Sequence, residues 1–457
     1  MSKSIYAPTR LRLVAAVQAG HAVCAALAAV VAVGTASAAE VESIDWSKVP
    51  VERPRLFTPG QSSYEWLRTE DHKKASKEVR AGEACLNCHK GEQKSLGEIL
   101  SGEHRLEPDP VEGKSGYKRL SLQAAHDDTY LYLRASWETD DDKPNDMGNL
   151  LRFDGEEWYW WGNHRQYPEV IDGEEPAIYP DRLGIMIGDA SVPMFAEQGC
   201  WLACHDSLVS MKDPPDPDEV SEHPVIGQLY KVFGIENTMV RKYLPGSRTD
   251  PEDWAAVIDE AKLKSLVAKG AFLDLIIWDA SLTNPVGAAA DFNVLEIKKV
   301  DEGTSPLLPN GKMRGGPAYM FDVSKTGFAA LGEADVADPG KPKHLIVGQN
   351  TAPYDASAIK EGDLLPAHVL DPAGAEGSAA DVDYARGVWK DGSYTVVIRR
   401  KLDTGHPDDK VLKPGGLYHF SFSVHDFAAG KRAHHVSFPL SVSIGEGKAD
   451  IQTMKLP

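Results

Sequence analysis

The stretch Cys200-Trp201-Leu202-Ala203-Cys204-His205 decides how the rest of the chain is interpreted. Two thiols can form thioether bonds to the vinyl groups of a haem, and an adjacent imidazole can bind its iron. The usual spacing is C-x-x-C-H, which occurs earlier as Cys85-Leu86-Asn87-Cys88-His89. Helical positions three and four apart share a face, so either spacing can present two sulfurs to one porphyrin edge. We therefore predict two covalently bound haem c groups, with His89 and His205 as proximal iron ligands.

The cysteine inventory agrees with this interpretation. The chain has five cysteines, and four of them belong to the two motifs: Cys85, Cys88, Cys200 and Cys204. The fifth, Cys24, lies in a segment that we expect to be removed, so no cysteine is left for a structural disulfide. The alternatives are a chance match, a zinc site, which usually closes four Cys or His ligands around the ion, and small-loop disulfides of an exported protein. Because each motif ends in His, haem attachment is the favoured interpretation.

Residues 1–38 are typical of a secretory signal. Lys3, Arg10 and Arg12 supply a positive start, a run rich in Ala, Val and Leu follows, and Ala36-Ser37-Ala38 fits the small-residue cleavage rule. We expect a periplasmic protein, exported unfolded, with no stable membrane insertion after signal cleavage. The alternative is that the apolar run is kept as an anchor, since it is long enough to span a bilayer.

The chain is acidic, with a formal net charge of −19 before the signal and its three basic residues are removed. A field of this sign disfavours nucleic acid and anionic membranes as partners. It suits a soluble protein that meets basic patches on periplasmic redox proteins. Charge that serves solubility alone explains the composition equally well, so the charge identifies no partner.

Residues 39–110 are predicted to form a small helical module around the first haem, after a polar, extended lead-in over 39–57. Little apolar sequence surrounds the motif, and a cofactor can hold such a short segment together. The distal iron ligand is predicted to be His72, on the helical stretch before the motif, with His104 as the alternative. No Met lies between residues 39 and 146, so a bis-His, lower-potential site is expected.

Residues 111–457 have the pattern of a mainly β domain. Short alternating runs separated by loops rich in Pro, Asp and Gly predict an antiparallel β-sandwich. A long interruption at about 190–265 carries the second haem motif and helical patterns over 225–233 and 253–269. The predicted strands cover residues 120–125 and 130–137, which form a hairpin, and then 182–187, 272–278, 392–400, 417–424 and 434–444.

The last predicted strand suggests a second iron ligand. Side chains alternate along a strand, and one face of this strand carries His434, Val436, Phe438, Leu440, Val442 and Ile444. His434 is therefore predicted to head a buried apolar row, where an imidazole needs a partner such as iron. His435 is the alternative if a bulge shifts the alternation. By the same test His419 and His425 fall on the polar face of their strand and are not favoured.

Four segments resemble a known family. They are residues 181–186 (DRLGIM), 199–205 (GCWLACH), 284–287 (NPVG) and 432–439 (RAHHVSFP). Together they look like the haem-binding domain of ethylbenzene dehydrogenase-related c-type cytochromes, which is similar to the γ subunits of ethylbenzene and dimethylsulfide dehydrogenases. The resemblance spans roughly residues 115–450. It implies a β-sandwich that holds one haem near one end, with one ligand from a central loop and one from near the C-terminus.

This sequence departs from those γ subunits, whose haem is non-covalent and ligated by a Met and a Lys. Here a covalent motif places His205 on the iron, and His434 or His435 stands where a Lys would serve. Met194 and Met211, close to the motif, are competing distal ligands. The departure weakens any inference about redox potential or a molybdenum-enzyme partner.

The leading functional hypothesis is an exported dihaem cytochrome that passes single electrons between periplasmic redox partners. The second is a haem subunit of a periplasmic molybdenum oxidoreductase. The third is a haem enzyme such as a peroxidase or reductase, which requires a five-coordinate iron. No sequence motif of a catalytic site was found, so no catalytic residue is predicted and electron transfer is favoured over catalysis.

Overall fold

The computed structural model describes residues 41–58, 85–101, 111–205, 214–233, 237–251, 253–311, 316–338, 340–430 and 433–457. The chain divides into two compact units, Met1–Trp46 and Ser47–Pro457. Of the first unit, residues 41–46 are described. The second unit contains every strand discussed below.

The prediction of a mainly β chain is confirmed. In chain order the first strands are β1 Arg55–Phe57, β2 Tyr117–Arg119, β3 Ser121–His126, β4 Tyr130–Glu138, β5 Leu150–Phe153, β6 Trp158–Trp161, β7 Arg182–Gly188, β8 Leu273–Asp279, β9 Ala290–Val294, β10 Lys298–Val300, β11 Gly303–Thr304, β12 Leu307–Pro309 and β13 Tyr319–Phe321. They are followed by β14 Leu345–Ile346, β15 Thr351–Pro353, β16 Leu364–Pro366, β17 His368–Leu370, β18 Glu376–Gly377, β19 Tyr384–Lys390, β20 Ser393–Lys401, β21 Leu417–His425, β22 His435–Ser437, β23 Leu440–Ser443, β24 Ile451–Gln452 and β25 Met454–Lys455.

The described helices are short. The α-helices are α1 Cys85–Cys88, α2 Gln93–Ser101, α3 Pro168–Ile171, α4 Phe195–Gln198, α5 Pro217–Glu222, α6 Ile226–Phe233, α7 Glu260–Ala268 and α8 Val323–Thr326. The 3-10 helices are Trp46–Lys48, Gly199–Ala203, Asn237–Arg241, Pro245–Ser247, Asn284–Val286, Glu333–Ala337, Ala356–Ala358 and Ser378–Ala380. Within the ranges given above, every helix is too short or too polar to cross a lipid bilayer.

Two sheets dominate the second unit. The larger has ten strands: β10-β9-β8-β7-β21-β22-β1-β2 run in that order, while β23 pairs with β21 and β24 with β23. The smaller has five strands in the order β19-β20-β4-β3-β25. Most pairings in both sheets are antiparallel, and those of β24 and β25 are parallel. Four further sheets of two or three strands lie within the part of the chain that the structure describes.

The two sheets contribute to one hydrophobic core. From β7, the side chains of Leu183, Ile185 and Ile187 enter this core, and Leu131, Leu133 and Ala135 of β4 belong to the same cluster. Because strand side chains alternate, the intervening β7 residues Arg182, Gly184, Met186 and Gly188 lie on the opposite face of the ten-stranded sheet. We call that opposite face the outer face.

The predicted hairpin over residues 120–137 is confirmed as β3 and β4, which pair antiparallel from Ser121 with Ser136 to His126 with Leu131. The turn is stabilised by Asp127, whose carboxylate accepts hydrogen bonds from the backbone amides of Thr129 and Tyr130, both at 2.7 Å. Such a bond from a short acidic side chain to the chain just beyond it is typical of a turn.

The expected lead-in over residues 39–57 contains a strand. Leu56 of β1 pairs with Lys118 on one side and with Ser437 on the other, and its side chain is completely buried in the core. Three residues, of which the two apolar ones are adjacent, show no alternation that predicts a strand, so only the pairing partners reveal it.

The expected strand over residues 434–444 is interrupted. It forms β22 and β23, with Phe438 and Pro439 between them, and the alternation slips there. Val436 and Phe438 pack with Trp201 on the outer face, whereas Val442 and Ile444 belong to the core. The prediction that His434 heads the row facing the core is therefore wrong, because that row is split between the two faces.

Candidate functional site

The stretch Cys200–His205 lies on the outer face of the ten-stranded sheet. Residues Gly199–Ala203 form one turn of 3-10 helix, and Cys204 follows it in an extended conformation with φ −105° and ψ 107°. The argument from α-helical spacing therefore does not apply to the second cysteine, because the helix ends before it. The backbone of Cys204 instead pairs with that of Lys242 in an isolated antiparallel β-bridge.

The turn is fixed to β21 by a small contact. The backbone amide of Cys200 donates to Oγ of Ser421 at 3.4 Å, and that hydroxyl donates in turn to the carbonyl of Ser437 at 3.2 Å. Gly199 has a φ of +57°, and a Cβ there would lie 3.0 Å from the same Oγ and 3.2 Å from Cδ of Pro439. Glycine is required at this position by both the backbone angle and the close approach.

The side chains of the turn are buried against two different groups. Trp201 packs with Val436 and Phe438 at the C-terminal end of the chain. Leu202 and Ala203 pack into a cluster with Phe195 of α4 and other apolar residues from 186 to 295. Burial raises the pKa of the Cys200 thiol to about 12, so the folded protein keeps this thiol protonated at neutral pH.

His205 is buried beside the turn, with 2% of its surface exposed. Its backbone amide donates to the carbonyl of Arg241 at 2.9 Å. Its ring stacks on that of Tyr243, with centroids 4.0 Å apart and planes 2° from parallel. The Tyr243 hydroxyl donates to the carbonyl of Pro251 at 2.9 Å. This bond holds in place the tyrosine ring on which the His205 imidazole stacks.

A pair of imidazoles lies on the same face of the sheet. His425 alternates with Ser421 and Ser423 along β21, and its ring stacks on that of His434 with centroids 4.2 Å apart and planes 3° from parallel. Burial, together with His434 and Arg182, holds the pKa of His425 well below its usual value. The polar face of β21 was not favoured from the sequence. It is the face on which Ser421 bonds to Cys200 and His425 stacks on His434.

The side chain of His435 is on the core side of the sheet. It is completely buried, and its Nε2 donates to the carbonyl of Ser115 at 2.7 Å. Burial, with a contribution from Lys114, lowers the pKa of His435 to about 3. Strand alternation therefore separates His435 from Cys200 and brings His434 to the same face as Cys200.

The cations Arg182 and Lys242 lie near His425, since the charge of each lowers the pKa of that imidazole. Arg182 pairs with Asp279, Nε to Oδ2, at 2.6 Å, and its guanidinium lies 4.3 Å from the ring centroid of Tyr179. Burial lowers the pKa of Lys298 well below its usual value, and the charges of Lys242 and Arg182 lower it further. Of these residues, only Arg182 falls in a segment that the sequence argument singled out.

The first motif is described over a shorter stretch. Cys85–Cys88 form one helical turn, α1, and the thiol of Cys88 is exposed. Nδ1 of His89 donates to Oε2 of Glu92 at 2.7 Å. A carboxylate on Nδ1 orients the ring and leaves Nε2 for a metal, an arrangement that metal-binding histidines commonly show.

Met194 is the one further predicted ligand that lies within the described residues. His72, His104 and Met211 lie outside the described residues. Met194 immediately precedes α4 and its side chain is 49% exposed. All these assignments, with those of His89, His205 and His434, stay predictions.

Comparison with known proteins gives the family. The family model described as ethylbenzene dehydrogenase matches residues 43–437. Cytochrome c-552 of Stutzerimonas stutzeri is 24% identical over 431 residues, which cover 94% of this chain and 97% of that protein. Cytochrome c-551 of Rhodocyclus tenuis is 28% identical over 170 residues, 36% of this chain and 57% of its own length. Since the family model covers most of the sequence, the chain belongs to the ethylbenzene dehydrogenase family.

Proposed function

We propose that this chain is an exported dihaem c-type cytochrome that carries single electrons between periplasmic redox proteins. The observation that carries the proposal is that the second motif and His434 lie on one face of the ten-stranded sheet. The turn Gly199–Ala203 is bonded to Ser421 through the amide of Cys200, and His434 stacks on His425 of the same strand. Two cytochromes among the relatives and the two Cys-Cys-His motifs support the same conclusion.

The residues present fit a haem c. Cys200 and Cys204 each offer a sulfur, and His205 follows them directly, so the donor set is two sulfurs and one imidazole. Ser421, Ser423 and Gly184, which are small residues, lie between the turn and His425 on this face of the sheet. A cofactor with two carboxylates also suits the positive charge of Arg182 and Lys242. A bound haem supplies an iron that exchanges one electron at a time.

In this proposal Cys200, Cys204, His205 and His434 hold one haem, and Cys85, Cys88, His89 and His72 hold the other. Two imidazole ligands on each iron would leave no open position for a substrate, which favours electron transfer over bond chemistry. The two large sheets around one core would then form the expected β-sandwich.

The test is the intact mass of the full chain under denaturing conditions, after expression with haem-maturation machinery. Matched double variants replace either Cys85 and Cys88 or Cys200 and Cys204 by Ala. We expect two haem masses in the parent and one in each variant. A parent with one haem, retained when Cys200 and Cys204 are replaced, would show that the central stretch does not attach haem.

A second candidate function is supported by the family match itself. In this second role the chain serves as the haem-bearing subunit of a molybdenum oxidoreductase of the ethylbenzene dehydrogenase type. Affinity purification of the full chain from its native host distinguishes the two roles. A stoichiometric large subunit that contains molybdenum would favour this second function, and a chain that purifies alone would favour the independent carrier.

A further inference from the structure

A second cluster of chemically reactive side chains lies inside the core, away from the cysteines. Asp274 of β8, Asp291 of β9 and Asp409, which follows β20, each offer a carboxylate oxygen, and these oxygens lie within 4.8 Å of one another. Asp274 and Asp291 are at most 1% exposed, and Asp409 is 5% exposed. Asp301 is also buried, and its amide donates to the Asp291 carbonyl at 3.3 Å.

The neighbouring cations balance only part of this charge. Arg400 donates through Nη2 to Asp274, and to Asp409 at 3.4 Å. The ammonium group of Lys410 instead donates to Asp189 at 2.9 Å and to the carbonyl of Gly270 at 2.5 Å. Arg400 is thus bonded to two of the four carboxylates, and burial of the remaining negative charge is costly.

Several oxygens of the cluster are left without a donor. Among the described residues, neither oxygen of Asp291 has a hydrogen-bond partner, and the same holds for Oδ1 of Asp274 and Oδ2 of Asp301. Nearly all buried polar atoms in proteins are paired, so these oxygens indicate a ligand.

We propose that Asp274, Asp291 and Asp409 bind a calcium ion. Calcium takes six to eight oxygen ligands at 2.3–2.6 Å, so ligands on opposite sides of the ion are about 4.6–5.2 Å apart. The three carboxylate oxygens lie within 4.8 Å of one another, which is close enough for one such ion to contact all three. Magnesium demands a smaller octahedron and retains several waters, and the set contains neither the thiolate nor the imidazole that zinc sites commonly use.

The site would join the two sheets. Asp274 and Asp291 belong to neighbouring strands of the ten-stranded sheet. Arg400 belongs to β20 of the five-stranded sheet, and Asp409 lies in the segment after β20. An ion held by all three carboxylates links these elements at one end of the core. Its role is structural, because it lies on the core side of the sheet and the cysteines lie on the outer face.

The experiment uses the full haem-loaded chain, dialysed against EDTA and then against calcium-free buffer. Calcium chloride is titrated in a calorimeter, and Tm is measured with and without calcium. We expect one equivalent to bind and Tm to rise by several degrees. Asp291→Asn should weaken binding at least 100-fold and remove the Tm response, whereas Asp128→Asn, on the surface, should change neither.

Two outcomes would overturn the proposal. In the first, the parent chain neither binds calcium nor changes Tm between calcium and EDTA. In the second, Asp291→Asn raises Tm equally with and without calcium, which would show that protons neutralise the cluster. If Asp291→Asn does not fold, the titration of the parent chain still decides, and a response to zinc or magnesium but not to calcium counts against the proposal.

Discussion

At the residue scale, the stacked pair of His425 and His434 presents two imidazoles of which one is proposed to bind iron. We predict that His434→Ala leaves one of the two proposed haems five-coordinate, because alanine offers no ligand to the iron. The measurement is CO binding to the reduced protein, together with the high-spin absorption band of the oxidised one. His425→Ala is the matched control and should remain six-coordinate at both irons.

The reverse pattern would assign the ligand to His425 instead. If neither variant binds CO, the distal ligand lies elsewhere, and Met194 and Met211 become the next residues to replace. Because both histidines stack on each other, the two variants lose a similar ring contact. A difference between their spectra therefore reports ligation and not packing.

His126 gives a prediction about pH and stability. It is 3% exposed, and its Nδ1 is hydrogen-bonded to Oγ1 of Thr453 at 2.8 Å. Burial, followed by Lys455, lowers its pKa. Below about pH 6.5 the unfolded chain takes up a proton that the folded chain does not. The free energy of unfolding therefore decreases as the pH decreases, until the lowered pKa of the folded state is reached.

We therefore expect the difference in unfolding free energy between the parent and His126→Gln to be constant above about pH 7.5. Below about pH 6.5 the parent should lose unfolding free energy relative to His126→Gln, by at most about 1.4 kcal/mol for each pH unit of acidification. Urea denaturation between pH 4 and 8 measures it. A difference that is independent of pH would show that His126 titrates alike in both states.

Sequence reasoning proposed the residues of the candidate site but not their surroundings. The cysteines and His205 follow from one motif, and His434 was proposed from strand alternation, although the predicted face was wrong. The error arose because Phe438 and Pro439 interrupt the strand, which periodicity alone does not reveal. Lys242 gave no signal in the sequence, because it lies near His425 only in the folded chain.

At the element scale, the junction between the 3-10 helix Gly199–Ala203 and β21 depends on one hydroxyl. Ser421 is completely buried and its Oγ is shared between Cys200 and Ser437. We predict that Ser421→Ala lowers the unfolding free energy by about 1–2 kcal/mol, because buried groups lose a partner. Ser421→Val should in addition displace the helix and reduce haem attachment at the second motif.

Denaturation and haem content per chain measure the two effects. The matched control is Ser136→Ala, which removes a hydroxyl bonded to Oγ1 of Thr395 at 2.8 Å in the five-stranded sheet. It should lower stability without changing haem content. If Ser421→Val attaches two haems as efficiently as the parent, the hydroxyl contact does not position the motif.

The predictability of elements followed their length. Long alternating runs such as β4, β7, β20 and β21 were predicted within one or two residues. The helix expected over 253–269 forms only over Glu260–Ala268, where Asp259 caps it by accepting from the amide of Lys262 at 2.9 Å. The small sheets between residues 303 and 377 were missed, because strands of two or three residues carry too little periodicity and depend on tertiary pairing.

At the scale of the whole molecule, buried salt bridges connect β2 and the residues before it to the segment after β21. Asp426 is 1% exposed and contacts Lys114 and, at 2.7 Å, Lys118. Although burial raises it, the two ammonium groups bring the pKa of Asp426 below its usual value. Its contribution to stability is therefore present above about pH 4 and is lost as the pH falls below that value.

We predict that Asp426→Asn lowers the unfolding free energy by about 3–5 kcal/mol, because two buried ammonium groups lose their main counter-charge. Urea denaturation at pH 7 measures it. Asp128→Asn, which breaks the exposed pair with Lys455, is the control and should cause no measurable loss. Equal stability of Asp426→Asn and the parent would mean that Asp140 alone compensates the two lysines.

In the exported chain proposed above, the position of the 3-10 helix Gly199–Ala203 on β21 sets an order of events. Cys200 precedes Ser421 by 221 residues, and later still come Val436 and Phe438, which pack on Trp201. A chain that crosses the membrane with its N-terminus first presents the cysteines before the strand that packs on their turn. The order of export thus provides an interval in which a haem-attaching enzyme can reach the cysteines, and arrival of the C-terminus closes it.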